Sequence, residues 1–390
     1  MMISYLACSN DMPIQGLDLA NSDEIGIIDS TSITTLSLEE AINDTLNPTG
    51  SSPFLLLGES DNFSTQILLK FDNLPDSIED VTHAAIILKT NALLGRKDTK
   101  RSFTASVHQI TTAWEENKVT VENFQDAYDL TNLGTAEMLS VDREFFNGDS
   151  VTFEKVRIEL TSEAVEIVES WADSTSGVEN DGFLIDHENS DFIKEFFSKE
   201  NVSHFPILEI GVVRNGRSDT LQINATEDAF LAKNDEILPD GPLYVDNIYS
   251  RQAILKFDFS QIPRESTVSR ATLEMNVFNQ NNVITDEGFT LIINRLAKPF
   301  ESLDSLSIES GVSAIVSSVG KNATQISIPI GGLIQSWVNQ TEDNYGFIIR
   351  AGTPGRDISR VAFFSTAMDP EKAPKIVVDF TVAPSIPYQN

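Results

Sequence analysis

The sequence is short of most groups that carry chemistry. Cys8 is the single cysteine in 390 residues, which excludes an intrachain disulfide and every zinc site built on cysteine pairs. The four histidines, His83, His108, His187 and His204, show no His-Glu-x-x-His spacing and stand beside no recognisable nucleophile. They are expected as surface or hydrogen-bonded strand residues, not as catalysts. No apolar run reaches the roughly 18 residues that a membrane-spanning helix needs. Positive charge is scarce as well: 27 Lys and Arg face 59 Asp and Glu, for a net charge of −32. Such a chain repels nucleic acid and anionic membrane surfaces, which disfavours both as partners. The carboxylates are scattered, a pattern suited to solubility in a salty or extracellular medium. Their abundance also means that two acids of glycosidase spacing would arise by chance and identify nothing.

The hydrophobic content, 41%, is that of a folding globular chain. A single core stops growing at roughly 250–300 residues, so two domains are expected. An internal repeat locates them. Gln66-Ile67-Leu68-Leu69-Lys70-Phe71-Asp72 returns 186 positions later as Gln252-Ala253-Ile254-Leu255-Lys256-Phe257-Asp258, with five of seven residues identical. Val81–Leu88 returns as Val268–Met275, and Ser170-Trp171 followed by Asp181-Gly182-Phe183 returns as Ser336-Trp337 followed by Asn344-Tyr345-Gly346-Phe347. Phe205-Pro206-Ile207-Leu208 is answered by Ala373-Pro374-Lys375-Ile376. Order is kept throughout, which is the signature of a duplicated unit whose first copy has a longer middle. The polar stretch Arg214-Asn215-Gly216-Arg217-Ser218 places the junction. The expected division is a leader or tether over 1–19, a first repeat over 20–216, a second over 217–383 and a tail over 384–390.

Within each copy the apolar residues alternate in short runs. Ile67, Leu69 and Phe71 share one face of an extended segment that stops at Asp72-Asn73 and Pro75. Only residues 163–172 and 333–338 switch to three-and-four spacing, predicting one short helix per copy. Many short strands without βαβ alternation predict an all-β protein: two tandem antiparallel β-sandwiches, jelly-roll-like, each with one short helix.

The repeated Leu-Lys-Phe-Asp strand at Leu69–Asp72 and Leu255–Asp258, the Ala-x-[Ile/Leu] strand at Ala84–Ile86 and Ala271–Leu273, the Trp114-Glu115 to Val119-Thr120 segment and the late Trp-to-Gly-Phe block resemble the DNRLRE domain. The resemblance spans nearly all of residues 20–383. Phe300-Glu301 takes the place of Trp114-Glu115 in the second copy, and the arginine-rich strand that names the family has become Ile-Leu-Leu-Lys or Ala-Ile-Leu-Lys. The resemblance implies a jelly-roll module of secreted and surface proteins related to carbohydrate-binding modules, some of which bind alginate. It therefore implies an extracellular or outer-surface setting, a polysaccharide or another surface protein as partner, and no enzymatic activity. The start, Met1-Met2-Ile3-Ser4-Tyr5-Leu6-Ala7-Cys8, resembles the end of a bacterial lipoprotein signal, with Cys8 as the residue to be lipidated and the resulting anchor as the one route to a membrane.

Candidate ligand-binding residues follow from chemistry. Trp114, Trp171 and Trp337 occupy structural positions of the repeat, so stacking on sugar rings falls to Tyr128, Tyr244, Tyr249 and Tyr345. A polyanionic glycan would need the one dense basic cluster, Arg96, Lys97, Lys100 and Arg101. Asp228, Asn234, Asp235 and Asp240 offer oxygens for a structural calcium, the only cofactor entertained. Two alternatives to a glycan-binding module stand beside it. One is a purely architectural or adhesive subunit that associates with itself through sheet edges. The other is a polysaccharide-degrading enzyme centred on residues 111–150, where no catalytic constellation is visible.

Overall fold

The computed structural model describes residues 27–382 apart from 35, 43–44, 61, 76–79, 96–100, 141–144, 148–149, 153–154, 215, 286–287 and 313. In chain order the strands of the first part are β1 (Ile27–Ile33), β2 (Leu36–Ile42), β3 (Phe54–Ser60), β4 (Phe63–Lys70), β5 (Asp80–Gly95), β6 (Ser102–Gln109), β7 (Gly134–Leu139), β8 (Phe145–Asn147), β9 (Ser150–Thr152), β10 (Lys155–Leu160), β11 (Phe183–Glu188), β12 (Phe192–Phe197) and β13 (Ile207–Arg214). The second part continues with β14 (Arg217–Asn224), β15 (Glu227–Asn234), β16 (Leu243–Asp246), β17 (Gln252–Phe257), β18 (Thr267–Asn276), β19 (Phe289–Arg295), β20 (Ile315–Val319), β21 (Gln325–Pro329), β22 (Phe347–Ala351), β23 (Arg360–Phe363) and β24 (Lys375–Val382). Helix α1 covers Val121–Phe124, α2 Ser162–Ala172 and α3 Gly331–Val338. The latter two stand where three-and-four spacing predicts helices. The four-residue α1 is too short to leave a periodic signal.

The protein is all-β, and every strand pairing is antiparallel. Eight strands of the first part close a ring in the order β10-β7-β6-β11-β4-β3-β12-β5 and back to β10. Closure depends on the sixteen-residue β5, which pairs with β10 and β13 over its first part and with β12 over its last. Leu69, Phe71, Ile86, Val107, Phe183 and Leu208 fill the space within. The second part forms a five-stranded sheet, β2-β17-β22-β19-β20, a four-stranded sheet, β1-β24-β18-β21, and a β16-β23 ladder. Leu255, Phe257, Leu273, Leu291, Phe347 and Ile376 form its core.

The two halves share one strand order. The row β15-β4-β11-β6-β7 corresponds to β2-β17-β22-β19-β20, β14-β13-β5-β10 to β1-β24-β18-β21, and β3-β12 to β16-β23. Local devices are shared too. Trp171 packs on Phe183 with ring centres 4.8 Å apart, and Trp337 on Phe347 at 4.9 Å, both tilted by 53°. The Asn180 amide donates to Phe71 O at 3.0 Å, and that of Asn344 to Phe257 O at 2.8 Å. Gly182 and Gly346 have φ of +89° and +97°, and a Cβ on them would lie 2.1 Å from Leu69 O and 2.6 Å from Leu255 O. Glycine is required here on two counts, backbone conformation and the close approach of a neighbouring strand.

The sheets do not follow the expected junction. Arg214 and Arg217 are facing residues of the β13–β14 hairpin, and β15 runs along the whole of β4, so residues 217–234 complete the sheets of the first half. The second half receives its matching strands from the opposite end of the chain: β1 pairs with β24 and β2 with β17. Residues 54–234 thus form the first half without interruption, and residues 27–42 join 243–382 in the second. Between the halves Leu46, Phe63, Ile193, Phe230, Ile248 and Ile358 form a shared apolar cluster. Hydrogen bonds from Asn47 N to Ile248 O at 2.7 Å and from Ser52 Oγ to Arg356 O at 2.7 Å flank it. Among the described residues no helix is long and apolar enough to cross a membrane.

Candidate functional site

The positions singled out from the sequence scatter once the chain folds. Tyr244 is buried in β16, and Tyr249 packs into the cluster between the halves. The Tyr249 hydroxyl accepts a hydrogen bond from Asn234 N at 2.7 Å, and the Arg251 guanidinium lies 4.7 Å from its ring centre. Neither ring presents an open face for sugar: Tyr244 is buried within β16, and Tyr249 packs at the seam of the two halves, where burial of aromatic area holds the molecule together. Tyr128 packs in a small core with Leu68, Trp114 and Leu184 and against the His108 ring. Tyr345 rests on Ile254 and Ile348 and donates to Asp343 Oδ2 at 2.8 Å.

The calcium set does not converge either. Asp228 and Asn234 lie at opposite ends of β15, about 20 Å apart at the rise of an extended strand. Asp235 pairs with Lys233 at 3.1 Å, and Asp240 is exposed. Asp228 is almost fully buried, its Oδ2 accepting from Lys199 N at 2.6 Å while Oδ1 has no partner. Burial pushes its pKa well above the ordinary carboxylate range, and the neighbouring Glu200 and Glu116 push the same way. Lys199 bridges those two acids at 3.0 and 3.1 Å. Among the described residues, no group of three or more His, Cys, Asp and Glu side chains is placed to hold a metal ion.

Of the basic cluster, Arg101 is paired with Asp191, whereas Arg96, Lys97 and Lys100 lie outside the described residues, as does Cys8. The histidines hold strands and turns. His108 bonds Ser106 Oγ at 2.9 Å and Thr131 O at 3.1 Å, and His187 bonds Ser64 Oγ at 3.0 Å. Burial lowers the pKa of His187.

Among the described residues a concave site forms whose aromatic groups are phenylalanines. It arises because β18 stops at Asn276, whereas its counterpart β5 runs on to Gly95 and pairs with β12. Beyond Asn276 the chain crosses between two neighbours instead of continuing the sheet. Val277 N donates to Thr324 O at 2.9 Å, Phe278 N to Ala362 O at 2.8 Å, and Phe364 N to Asn276 O at 3.0 Å. These bonds bring Phe278 and Phe364 edge to face, with ring centres 5.4 Å apart at 78°. The Lys372 ammonium stands 4.8 Å from the Phe364 ring centre and 3.0 Å from Asp369. Asn276, Asn279, Gln280, Thr324 and Gln325 complete an open groove of about 500 Å³. Both phenylalanines are half-buried, while Asn279, Gln280, Thr324, Gln325 and Lys372 are exposed.

The groove offers apolar ring surface bordered by neutral amides and one cation whose charge is already paired. That combination suits a ligand with an apolar face and hydroxyl groups at its rim. The groove holds neither tryptophan nor tyrosine among its lining residues. The available signal was Asn276–Asn282, where the alternation of β18 gives way to the run of four amides, Asn279-Gln280-Asn281-Asn282, that follows Phe278. No protein-family model matches the chain, and no curated protein matches it.

Proposed function

We propose that this chain is a non-catalytic binding protein of the cell exterior, folded as two jelly-roll-like β-sandwiches of the DNRLRE type, that holds a polysaccharide in the Phe278–Phe364 groove. The observation that carries this reading is the pair of half-buried rings with amides beside them. A pyranose presents an apolar face of axial C–H groups to an aromatic ring while its equatorial hydroxyls reach outward, where Asn279, Gln280 and Gln325 can donate and accept. Neutral glycans are favoured over polyanions, because the net charge of −32 opposes an anionic chain and Asp369 already neutralises Lys372.

A glycan array probed with and without calcium, followed by affinity measurements on the best neutral glycan, tests the proposal. Phe278→Ala and Phe364→Ala should each weaken retention about tenfold or more, since ring stacking of this kind contributes on the order of 1–2 kcal/mol. Retention unchanged in both variants, with the fold intact by circular dichroism, would remove the groove as the site. Release of new reducing ends from the bound glycan would favour a degrading enzyme instead.

A further inference from the structure

The second half is completed by a segment that belongs, in the order of the repeat, to the beginning of the chain. In the first half the strands that cover β13 and β4 follow directly in sequence: β13 turns into β14, and β15 returns along β4. In the second half the chain reaches β24 and no further strand follows among the described residues. The successive strands β1 and β2 take that place, β1 facing β24 from Ile27↔Val382 to Ile33↔Ile376 and β2 facing β17 from Gln252↔Ile42 to Phe257↔Leu36. Ile33 and Ile42 are buried there.

We infer that the consecutive strands β1 and β2, one in each sheet of the second half, form an exchangeable closing segment, and that the acceptor edges on β24 and β17 can take it from a second copy of this chain. Three observations bear on this. The recognition is ladder pairing plus two buried isoleucines, and the same segment from another copy would supply the same groups in the same register. This segment leads into the first half through described residues 45–53, which form no helix or strand and are seated in the seam, with Leu46, Thr49 and Ser52 buried, so exchange requires unfolding and not a simple detachment. The equivalent strands β14 and β15 lie on one half and lead on through residues 235–242 into the other, so the chain itself already links one unit to the next in this manner. Exchange of an identical element between copies leaves every local contact in place and gives either a closed dimer or a head-to-tail series. This inference is independent of the glycan-binding proposal.

Closure within one molecule dominates at low concentration, because a short tether holds the segment at an effective concentration on the order of mM. Exchange should therefore appear when the protein is refolded from denaturant at concentrations approaching that value. Ser32 and Val377 face each other across β1 and β24, Ser32 being exposed and Val377 half-buried, at a spacing that antiparallel neighbours share with disulfides. With Cys8→Ser as background, one preparation carries Ser32→Cys and the other Val377→Cys. Refolded together at high concentration and oxidised, they should yield a mixed disulfide dimer whose fraction rises with concentration; mixed after folding at micromolar concentration, they should not. A chain carrying both substitutions should close the bond within itself, which checks the geometry. The inference is overturned if that double variant cross-links internally while the mixed dimer never forms. Sedimentation of the Cys8→Ser chain refolded over the same series gives a thiol-free reading: dimers and higher multiples support exchange, and monomer at every concentration refutes it.

Discussion

Asp228 and the paired tryptophans show how far a residue's surroundings redirect its chemistry. The folded state raises the Asp228 pKa by burial, so between the unfolded value near 4 and the raised one the native protein holds a proton that the unfolded chain has released. The stabilisation is complete below the unfolded value and is lost as pH rises through the folded one. Asp228→Asn keeps an acceptor for Lys199 N and removes the titration. Its unfolding free energy, measured in urea from pH 4 to 8, should fall less steeply with pH than that of the unaltered chain; parallel curves would show that Asp228 is not protonated preferentially in the fold. Trp337 is 4% exposed, and Arg295 lies 4.6 Å from its ring centre. Its partner in the repeat, Trp171, is only partly buried at the edge of the other core. Trp337→Ala should therefore cost about 3–5 kcal/mol through lost burial and a residual cavity, and Trp171→Ala less. Equal losses in denaturant titrations would mean that the two helices are equally closed over their cores.

Among the elements, β5 and the N-terminal strands β1 and β2 decide most. The apolar alternation of Val81–Leu88 and Val268–Met275 announces a strand in both copies, yet nothing in either segment says that one continues to Gly95 while the other ends at Asn276. That difference makes the groove, and it depends on which strand lies alongside: β12 is available to β5 over Thr90–Gly95, while the short β23 meets the chain beyond β18 in isolated bridges, Val277–Phe363 and Val283–Arg360, and in no continuous ladder. Strand β1 carries a prediction of its own. Ile33 is fully buried against the second half, and a carboxylate there would be left without a partner, which costs several kcal/mol. Ile33→Asp should speed amide exchange in β24, β18 and β17 while β4, β6 and β11 keep their protection. Equal acceleration in both halves would show that they open as one cooperative unit.

For the whole molecule, charge and topology act on different properties. The excess of acid, −32, keeps copies apart at long range and biases any ligand toward neutrality. Affinity for a neutral glycan at the groove should accordingly vary little with salt, whereas a polyanion would bind better as salt screens the repulsion. Topology acts at short range. With β1 beside β24, the described ends of the chain lie together, and the second half cannot be completed until both have been made. The seam between the halves, with Phe63 under Arg360 at 5.6 Å and Leu46 against Ile248 and Ile358, then locks the arrangement.

By itself the sequence determined the all-β class, the repeat and the positions of α2 and α3, because each rests on local periodicity or on recurrence of the same residues in order. The paired glycines could be read as equivalent because each directly precedes Phe183 or Phe347, and the tryptophans because each follows a serine and comes before that Gly-Phe step in the same order. Tertiary structure alone decided that Tyr244 is buried and Tyr249 packs into the seam, that Asp228 and Asn234 stand a strand's length apart, and that Phe278 and Phe364, 86 positions apart in sequence, share a groove. It also decided which copy each closing segment completes. A β-strand's own residues specify its alternation and which face is apolar, but its partner is chosen by backbone groups that every residue possesses. The choice between the two equivalent acceptor edges therefore falls to chain connection and to packing between the halves.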